Sequence, residues 1–414
     1  MFDFAPAAAA DALAIIRRLQ AAGFVAYLAG GCVRDGLLGR QPKDFDVATD
    51  AAPETVRELF GRRNTLAFGV SFGVIGVRGS AATPTEVATF RSDGTYSDGR
   101  RPDHVRFGSA EEDALRRDFT INGLFHDPVR DVVIDFVGGR ADLANRLVRA
   151  IGDPRQRIAE DKLRMLRAVR FAATLGFTLD YQTAASIRRS AAEVTVTSGE
   201  RIGAELRRML GNRGASLALE LLADTHLLEP IWPGTERNAE ALKRAIRLAG
   251  AVQPPEFKAI VAVVIAATSS DPAATAADLA ERWKWSGDER DAVRHTLRYL
   301  DTVVAADRLA WSVVQPVLMS PHRSSLLQAA ESWALVHDLP TAGIELCRQR
   351  LASWPAERLD PPPLVTGKTL IDLGFRPGPA FKRTLATIRD AQLDGEIDSE
   401  VEATAWVKRL LDEA

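Results

Sequence analysis

Cysteine is almost missing from these 414 residues, which hold only Cys32 and Cys347. Two thiols in a chain of this length exclude a disulfide framework and fit a reducing compartment. Long apolar runs are missing as well. The longest, Ala259 to Thr268, falls far short of the roughly 20 residues that a bilayer span requires. The alanine-rich start places Arg17 and Arg18 after its apolar residues, the wrong order for a secretory signal, so a cytoplasmic soluble protein is expected. Charge of one sign is not in excess either: 53 Lys and Arg against 55 Asp and Glu leave a net charge of −2. Overall balance does not exclude a local basic patch, and residues 153–213 carry 12 Lys or Arg against 7 Asp or Glu, a local excess of +5. There is no internal repeat or low-complexity tract. His337-Asp338 has no second histidine-and-aspartate set at metal-ligand spacing, which removes a His-Asp metal hydrolase from consideration.

What is present is concentrated in Gly30–Asp46. Two adjacent glycines, Gly30 and Gly31, follow the apolar run Val25–Ala29, and two carboxylates, Asp44 and Asp46, close the stretch. If Asp44 and Asp46 lie in a strand, their i, i+2 spacing puts both on one face about 7 Å apart. Carboxylates held that close repel unless a cation lies between them. An oxygen-rich pair suits Mg²⁺, which keeps several waters and takes its other ligands from substrate phosphates. The glycines let backbone approach a phosphate, and Val33–Leu38 reads as the first turns of a helix whose N-terminus favours an anion. Arg34 adds a cationic fork for the same group. Each signal alone also fits a turn or a solvated loop.

Three further places carry chemistry. Thr85–Arg91 reads as a strand with one acid, Glu86, which fits an exposed edge charge or a third carboxylate beside the pair. Arg116-Arg117-Asp118 fits either a surface salt bridge or a triphosphate site in which the cations meet phosphate oxygens and the carboxylate accepts from a ribose hydroxyl. Residues 159–171 read as one helix with Asp161, Arg164, Arg167 and Arg170 at steps of three. There the alternatives are an i, i+3 surface ion pair and a pair of side chains, Asp161 and Arg164, that meets the pairing edge of a base. Trp283, Trp285 and Trp311 could stack on bases, although core packing is the expected role.

The ordered set of motifs resembles the nucleotidyltransferase superfamily that includes DNA polymerase β. In its fuller form, with Arg34-Asp35, Gly39-Arg40 and Thr49, it resembles the class II bacterial tRNA CCA-adding enzymes and poly(A) polymerases. The resemblance implies an α+β fold: a polymerase-β-like head with a small sheet over residues 1–150, then an all-helical neck (151–235), body (236–355) and tail (356–414). It implies transfer of nucleotides from CTP and ATP to a tRNA 3′ end with Mg²⁺ as cofactor, with Asp44 and Asp46 as metal ligands and Glu86 beside them. It assigns Gly30, Gly31, Arg34, Arg117, Arg167 and Arg170 to nucleotide binding, Asp118 to the ribose 2′-OH, and Asp161 and Arg164 to the choice between ATP and CTP. Ser198–Leu206 resembles a motif that braces the pocket, its charges structural in role. Poly(A) addition, or partial CC or A addition, remains the alternative. Phe68–Val74 departs from the Thr-Gly-x-x-His-Gly-Thr of many CCA-adding enzymes, Phe60–Arg63 partly echoes a poly(A) polymerase signature, and Gly123 stands where alanine is usual. No membrane partner is implied, and the oligomeric state is left open.

Overall fold

Apolar residues three and four apart build the first helix, α1 (Ala7–Ala21), which buries Ala9, Ala12, Ile15, Ile16 and Leu19. The computed structural model describes residues 4–69, 73–94, 105–375 and 378–412. Val70–Phe72 and residues 95–104, the latter holding Tyr96, Asp98, Arg100 and Arg101 of the polar loop singled out above, lie outside the described residues.

After α1 come β1 (Ala26–Ala29), α2 (Gly31–Leu37), β2 (Val47–Thr49) and α3 (Pro53–Phe60), the last with proline in its first turn. Strands β3 (Thr65–Gly69), β4 (Val74–Val77) and β5 (Thr85–Thr89) follow, and β6 (Arg91–Asp93) pairs separately with β7 (Val105–Phe107). Helix α4 (Ala110–Leu115) starts on a Ser109–Glu112 capping box. Strands β8 (Leu124–Asp127) and β9 (Val132–Asp135) then complete a sheet of order β3-β4-β5-β2-β1-β8-β9. In it β2 and β5 run parallel, with Val47 opposite Val87, and the other pairs are antiparallel. Ala29, Ala48, Phe90, Ala114 and Phe125 form a core cluster, with the Phe90 and Phe125 rings edge to face at 5.7 Å. Each buried phenylalanine contributes on the order of 2 kcal/mol.

Helix α5 (Gly139–Ala144) and β10 (Leu147–Val148) lead into α6 (Pro154–Glu160) and α7 (Leu163–Leu175); β11 (Thr178–Leu179), α8 (Tyr181–Ser190) and α9 (Gly199–Leu210) follow. Strand content does not stop at residue 150 as the sequence suggested, because β10 pairs in parallel with β11 across α6 and α7. Two other expectations change. Asp44 and Asp46 precede β2 instead of lying in it, although the alternation holds, with Phe45 buried between two exposed acids. The run 159–171 is two helices: α6 ends at Glu160, Asp161 turns to φ −149° and ψ 109°, and α7 begins at Leu163.

The chain divides into two compact units, one of residues 1–209 and 217–233, the other of 210–216 and 234–414. Among its described residues the second is helical. Its most apolar helix, Phe257–Thr268, buries eight side chains between Phe257 and Ile265, as a helix apolar on all sides must. Trp283 and Trp285 are buried, and Trp311 lies under the Arg350 guanidinium, so all three indoles pack inside the fold. Near the C-terminus, Val365, Leu370, Ile388, Ile397 and Val407 join a separate apolar cluster. No helix among the described residues is long and apolar enough to cross a membrane. The fold is α+β, as expected.

Candidate active site

Gly30 turns the chain from β1 into α2 at φ +72°, a left-handed conformation that costs little only for glycine. A Cβ here would lie 2.8 Å from Nη1 of Arg117, and that guanidinium is pinned: it donates to Asp113 Oδ2 at 3.1 and 3.0 Å and to the Asn122 carbonyl at 3.1 Å. The glycine therefore lets an arginine stand directly against the turn. Arg34, on α2, donates to Asp35 at 2.8 Å and to the Asn122 side-chain oxygen at 2.7 Å.

A cavity of about 700 Å³ opens onto Gly30, Gly31 and Arg34. Asp44 and Asp46 line it beside β2, and Arg117 and Asp118 come from the segment after α4. Asp161 enters at the break between α6 and α7, and Arg164, Arg167 and Arg170 from α7. Eight arginines and four aspartates line it, an excess of positive charge that suits a polyphosphate. Glu86 is set apart. It lines a neighbouring cavity of about 410 Å³ that shares Asp44 and Asp46 with the first. Because β2 and β5 are parallel with Val47 opposite Val87, Asp46 and Glu86 precede partnered residues on adjacent strands. Crowding by protein, and then the Glu86 and Asp44 carboxylates, push the Asp46 carboxyl up to about 6 against the pull of Arg117. Such a pair calls for a cation. Among the described residues no group of three His, Cys, Asp or Glu closes round one, so phosphate or water would have to complete the ligand shell.

Asp118 is fully engaged. Its Oδ1 accepts from the Phe119 amide at 2.8 Å and from Asn122 Nδ2 at 3.1 Å, and its Oδ2 accepts from both Arg167 Nε, at 2.8 Å, and Nη2. Burial pushes its carboxyl up, but Arg167 and these hydrogen bonds outweigh burial and hold it at about 2. These four donors fill the roughly four lone-pair sites of the carboxylate, so a sugar hydroxyl would have to take the place of one of them. Arg170 and Arg208 both reach the buried carboxylate of Glu205 on α9, and the Arg170 guanidinium lies over the Phe171 ring at 4.0 Å.

Asp161 and Arg164 line the same cavity yet do not pair with each other. Asp161 Oδ1 accepts from the Leu163 amide at 3.0 Å, and both its oxygens accept from Arg201 on α9, at 3.2 and 2.7 Å. Arg164 donates to the Arg157 carbonyl at 2.9 Å and to Glu160. The ion pair expected on a surface helix is thus not formed. An acceptor and a donor, each held from behind, line the same cavity.

Asn122 and Asp113 had no assigned part in the sequence reading, and Glu205 was expected only among the structural charges of a motif that braces the pocket. Asn122 joins Arg34 to Asp118, Asp113 holds Arg117 and Arg116, and Glu205 gathers arginines of α7 and α9. Asn122 stood within a noted motif, but only folding brings it to Arg34, 88 residues away. Gly123 is explained by packing, because a Cβ would lie 2.7 Å from Val137 Cγ2.

Residues 26–149 match the family described as the Poly A polymerase head domain, and residues 176–238 match a probable RNA and SrmB-binding site of polymerase A. The CCA-adding enzyme of Geobacillus thermodenitrificans is 36% identical over 405 residues, covering 96% of each chain. That of Lacticaseibacillus paracasei is 33% identical over 393 residues, covering 94% of this chain and 93% of its own. Among solved structures, the Bacillus stearothermophilus CCA-adding enzyme in complex with CTP superposes with a TM-score of 0.82 at 31% identity, covering 98% of both chains. The Thermotoga maritima CCA-adding enzyme complexed with tRNA shares the fold, with a TM-score of 0.68 at 20% identity over 97% of this chain and 95% of its own.

Proposed function

The chain belongs to the CCA-adding enzyme family of nucleotidyltransferases, and we propose that it adds C, C and A in turn to tRNA 3′ ends from CTP and ATP, with release of pyrophosphate. One observation carries the reading: a single arginine-lined cavity presents a carboxylate pair, a glycine turn and the acceptor and donor of Asp161 and Arg164 together. A nucleotide would be chosen there by protein side chains, with no template strand.

In this reading Gly30, Gly31, Arg34 and Arg117 hold the triphosphate, with Arg167 and Arg170 supporting it. Asp118 accepts from the ribose 2′-OH in place of one of the four donors it now holds. Asp161 accepts from the exocyclic amine of C or A, and Arg164 donates to the neighbouring ring nitrogen. Asp44 and Asp46, crowded and mutually repelling, would hold Mg²⁺, with Glu86 as a third charge beside them. Bound there, the metal supplies charge neutralisation for the attacking 3′-hydroxyl and the departing pyrophosphate. The finer division into head, neck, body and tail near residues 150, 235 and 355 and a cytoplasmic setting belong to the same proposal.

The test uses tRNA transcripts that end before CCA, after C and after CC, each with CTP or ATP, alongside an unstructured RNA primer. Addition of C, C and then A with a stop at A is expected. Continued A addition on the unstructured primer would replace this reading with poly(A) synthesis, and addition confined to CC or to A would make the chain a partial enzyme.

A further inference from the structure

The reading edges of the four bases pose a problem that two side chains alone do not solve. Cytosine and adenine present an amine donor beside a ring-nitrogen acceptor, and uracil and guanine present the mirror pattern, a carbonyl acceptor beside a ring N–H donor. Asp161 offers only acceptors and Arg164 only donors, so the pair matches C and A in one placement and U and G in the exchanged one. Selectivity therefore depends on neither side chain being able to slide across to its neighbour's partner.

The structure supplies the restraint on Asp161. Arg201, which does not line the cavity, reaches it from α9 with a two-point fork, Nη1 to Oδ1 at 3.2 Å and Nη2 to Oδ2 at 2.7 Å. The Leu163 amide takes the same Oδ1 at 3.0 Å, so three donors fix the plane of the carboxylate. An ionised carboxylate has about four lone-pair sites, which leaves room for one further donor. The backbone at Asp161 does not supply this rigidity, since the residue lies in the extended break between α6 and α7. Arg164 is restrained independently, by Glu160 and the Arg157 carbonyl.

We infer that Arg201 is a positioning residue for base choice: by clamping Asp161 from behind the cavity wall, it fixes the acceptor where an exocyclic amine must lie and denies it to a ring N–H. The inference rests on Asp161 reading the base. Loss of the clamp releases the carboxylate toward the ring N–H of uracil, while the carboxylate pair and the triphosphate contacts are untouched.

The experiment compares the full-length protein with its Arg201→Met, Arg201→Lys and Asp161→Ala variants on a tRNA transcript lacking CCA. The substrates are CTP, UTP and the ribonucleoside triphosphate of 2-pyrimidinone, which is cytidine without its exocyclic amine. In Arg201→Met, the kcat/KM ratio of UTP to CTP should rise about tenfold or more, mainly because KM for CTP rises while kcat changes little. Removing the amine should cost that variant less than it costs the parent. Arg201→Lys, a one-point contact, should shift the ratio in the same direction by less, and it keeps the test valid if the methionine variant does not fold. Parental ratios in both Arg201 variants, with the ratio disturbed in Asp161→Ala, would overturn the inference and leave the reading of Asp161 standing. Parental ratios in all three variants would overturn both.

Discussion

Ion pairs at the cavity of the first unit are partly or wholly shielded, whereas several in the second unit lie in water, as do pairs of the first unit away from the cavity such as Arg62 with Glu54 and Arg155 with Asp153. Arg167 with Asp118 and Arg170 with Glu205 leave their carboxylates 10% and 3% exposed, while Arg294 with Asp291 leaves its two partners 71% and 51% exposed. The chemistry of the pairs is the same and their work is not. A pair in water gains little, because solvent screens it and two long side chains lose freedom. A shielded network holds charged groups in one geometry, and losing a partner leaves a charge without compensation. The first unit thus carries arginines that would repel one another without acids between them, and the second uses charge mainly on its surface while its stability rests on apolar helix packing such as Phe257–Thr268.

The sharpest way to break this contrast is at the cavity carboxylates, where burial and the Glu86 and Asp44 charges outweigh the pull of Arg117 on Asp46. Asp46→Ala should lower kcat/KM by about a thousandfold or more, roughly 4 kcal/mol of barrier. Thermal unfolding of that variant in chelator should show no loss of stability, since Asp46 is crowded by Glu86 and Asp44 in the parent. Near-parental turnover would remove the metal assignment.

Next in size is Asp118, where the charges are matched. Its carboxyl is held at about 2, below its ordinary value of 3.8, so the folded state favours the ionised form. That contribution is fully present above the ordinary value and is lost as pH falls through about 2, and it amounts to about 2 kcal/mol. Asp118→Asn should therefore be less stable than the parent at pH 6, with the gap closing between about pH 4 and pH 2 in urea titrations. The same variant should narrow the preference for ribo- over deoxyribonucleotides at least tenfold, measured as a ratio of kcat/KM values. A stability gap independent of pH would assign the cost to packing.

The smallest effect belongs to the second unit. Arg294→Ala should change unfolding free energy by less than about 0.5 kcal/mol at moderate salt, read from the urea midpoint. A loss of several kcal/mol would show that exposure does not separate the two kinds of pair.

Legibility in the sequence followed sequence distance. Gly30-Gly31 and Asp44-Phe45-Asp46 could be read because a turn, a helix start and an alternation are local, and the alternation survived even though the strand begins one residue later, at Val47. The core of Phe257–Thr268 and the placement of the tryptophans followed from composition and periodicity. The helix read across 159–171 failed because its apolar spacing continues through a break that Asp161 makes by taking an extended conformation. The partners of the site residues were not legible: Arg167 is 49 residues from Asp118, Arg201 is 40 from Asp161, and Arg34 is 88 from Asn122.

By itself the sequence determined which groups this protein possesses: the glycines that permit a left-handed turn, the carboxylates at alternating positions, the arginines at helical spacing and the apolar periodicities that make an α+β head and a helical remainder. These depend on torsional preference and on residue spacing within a few positions, which the chain carries in its order. Only the tertiary structure decided which acid holds which arginine. Asp118 is clamped by Arg167, Asp161 by Arg201 and not by Arg164, and Glu86 borders a cavity next to the one that Asp118 lines. Coulomb energy and hydrogen bonding depend on distance in space and on access of water, and both are set by how β2, α7 and α9 pack, whatever their separation along the chain.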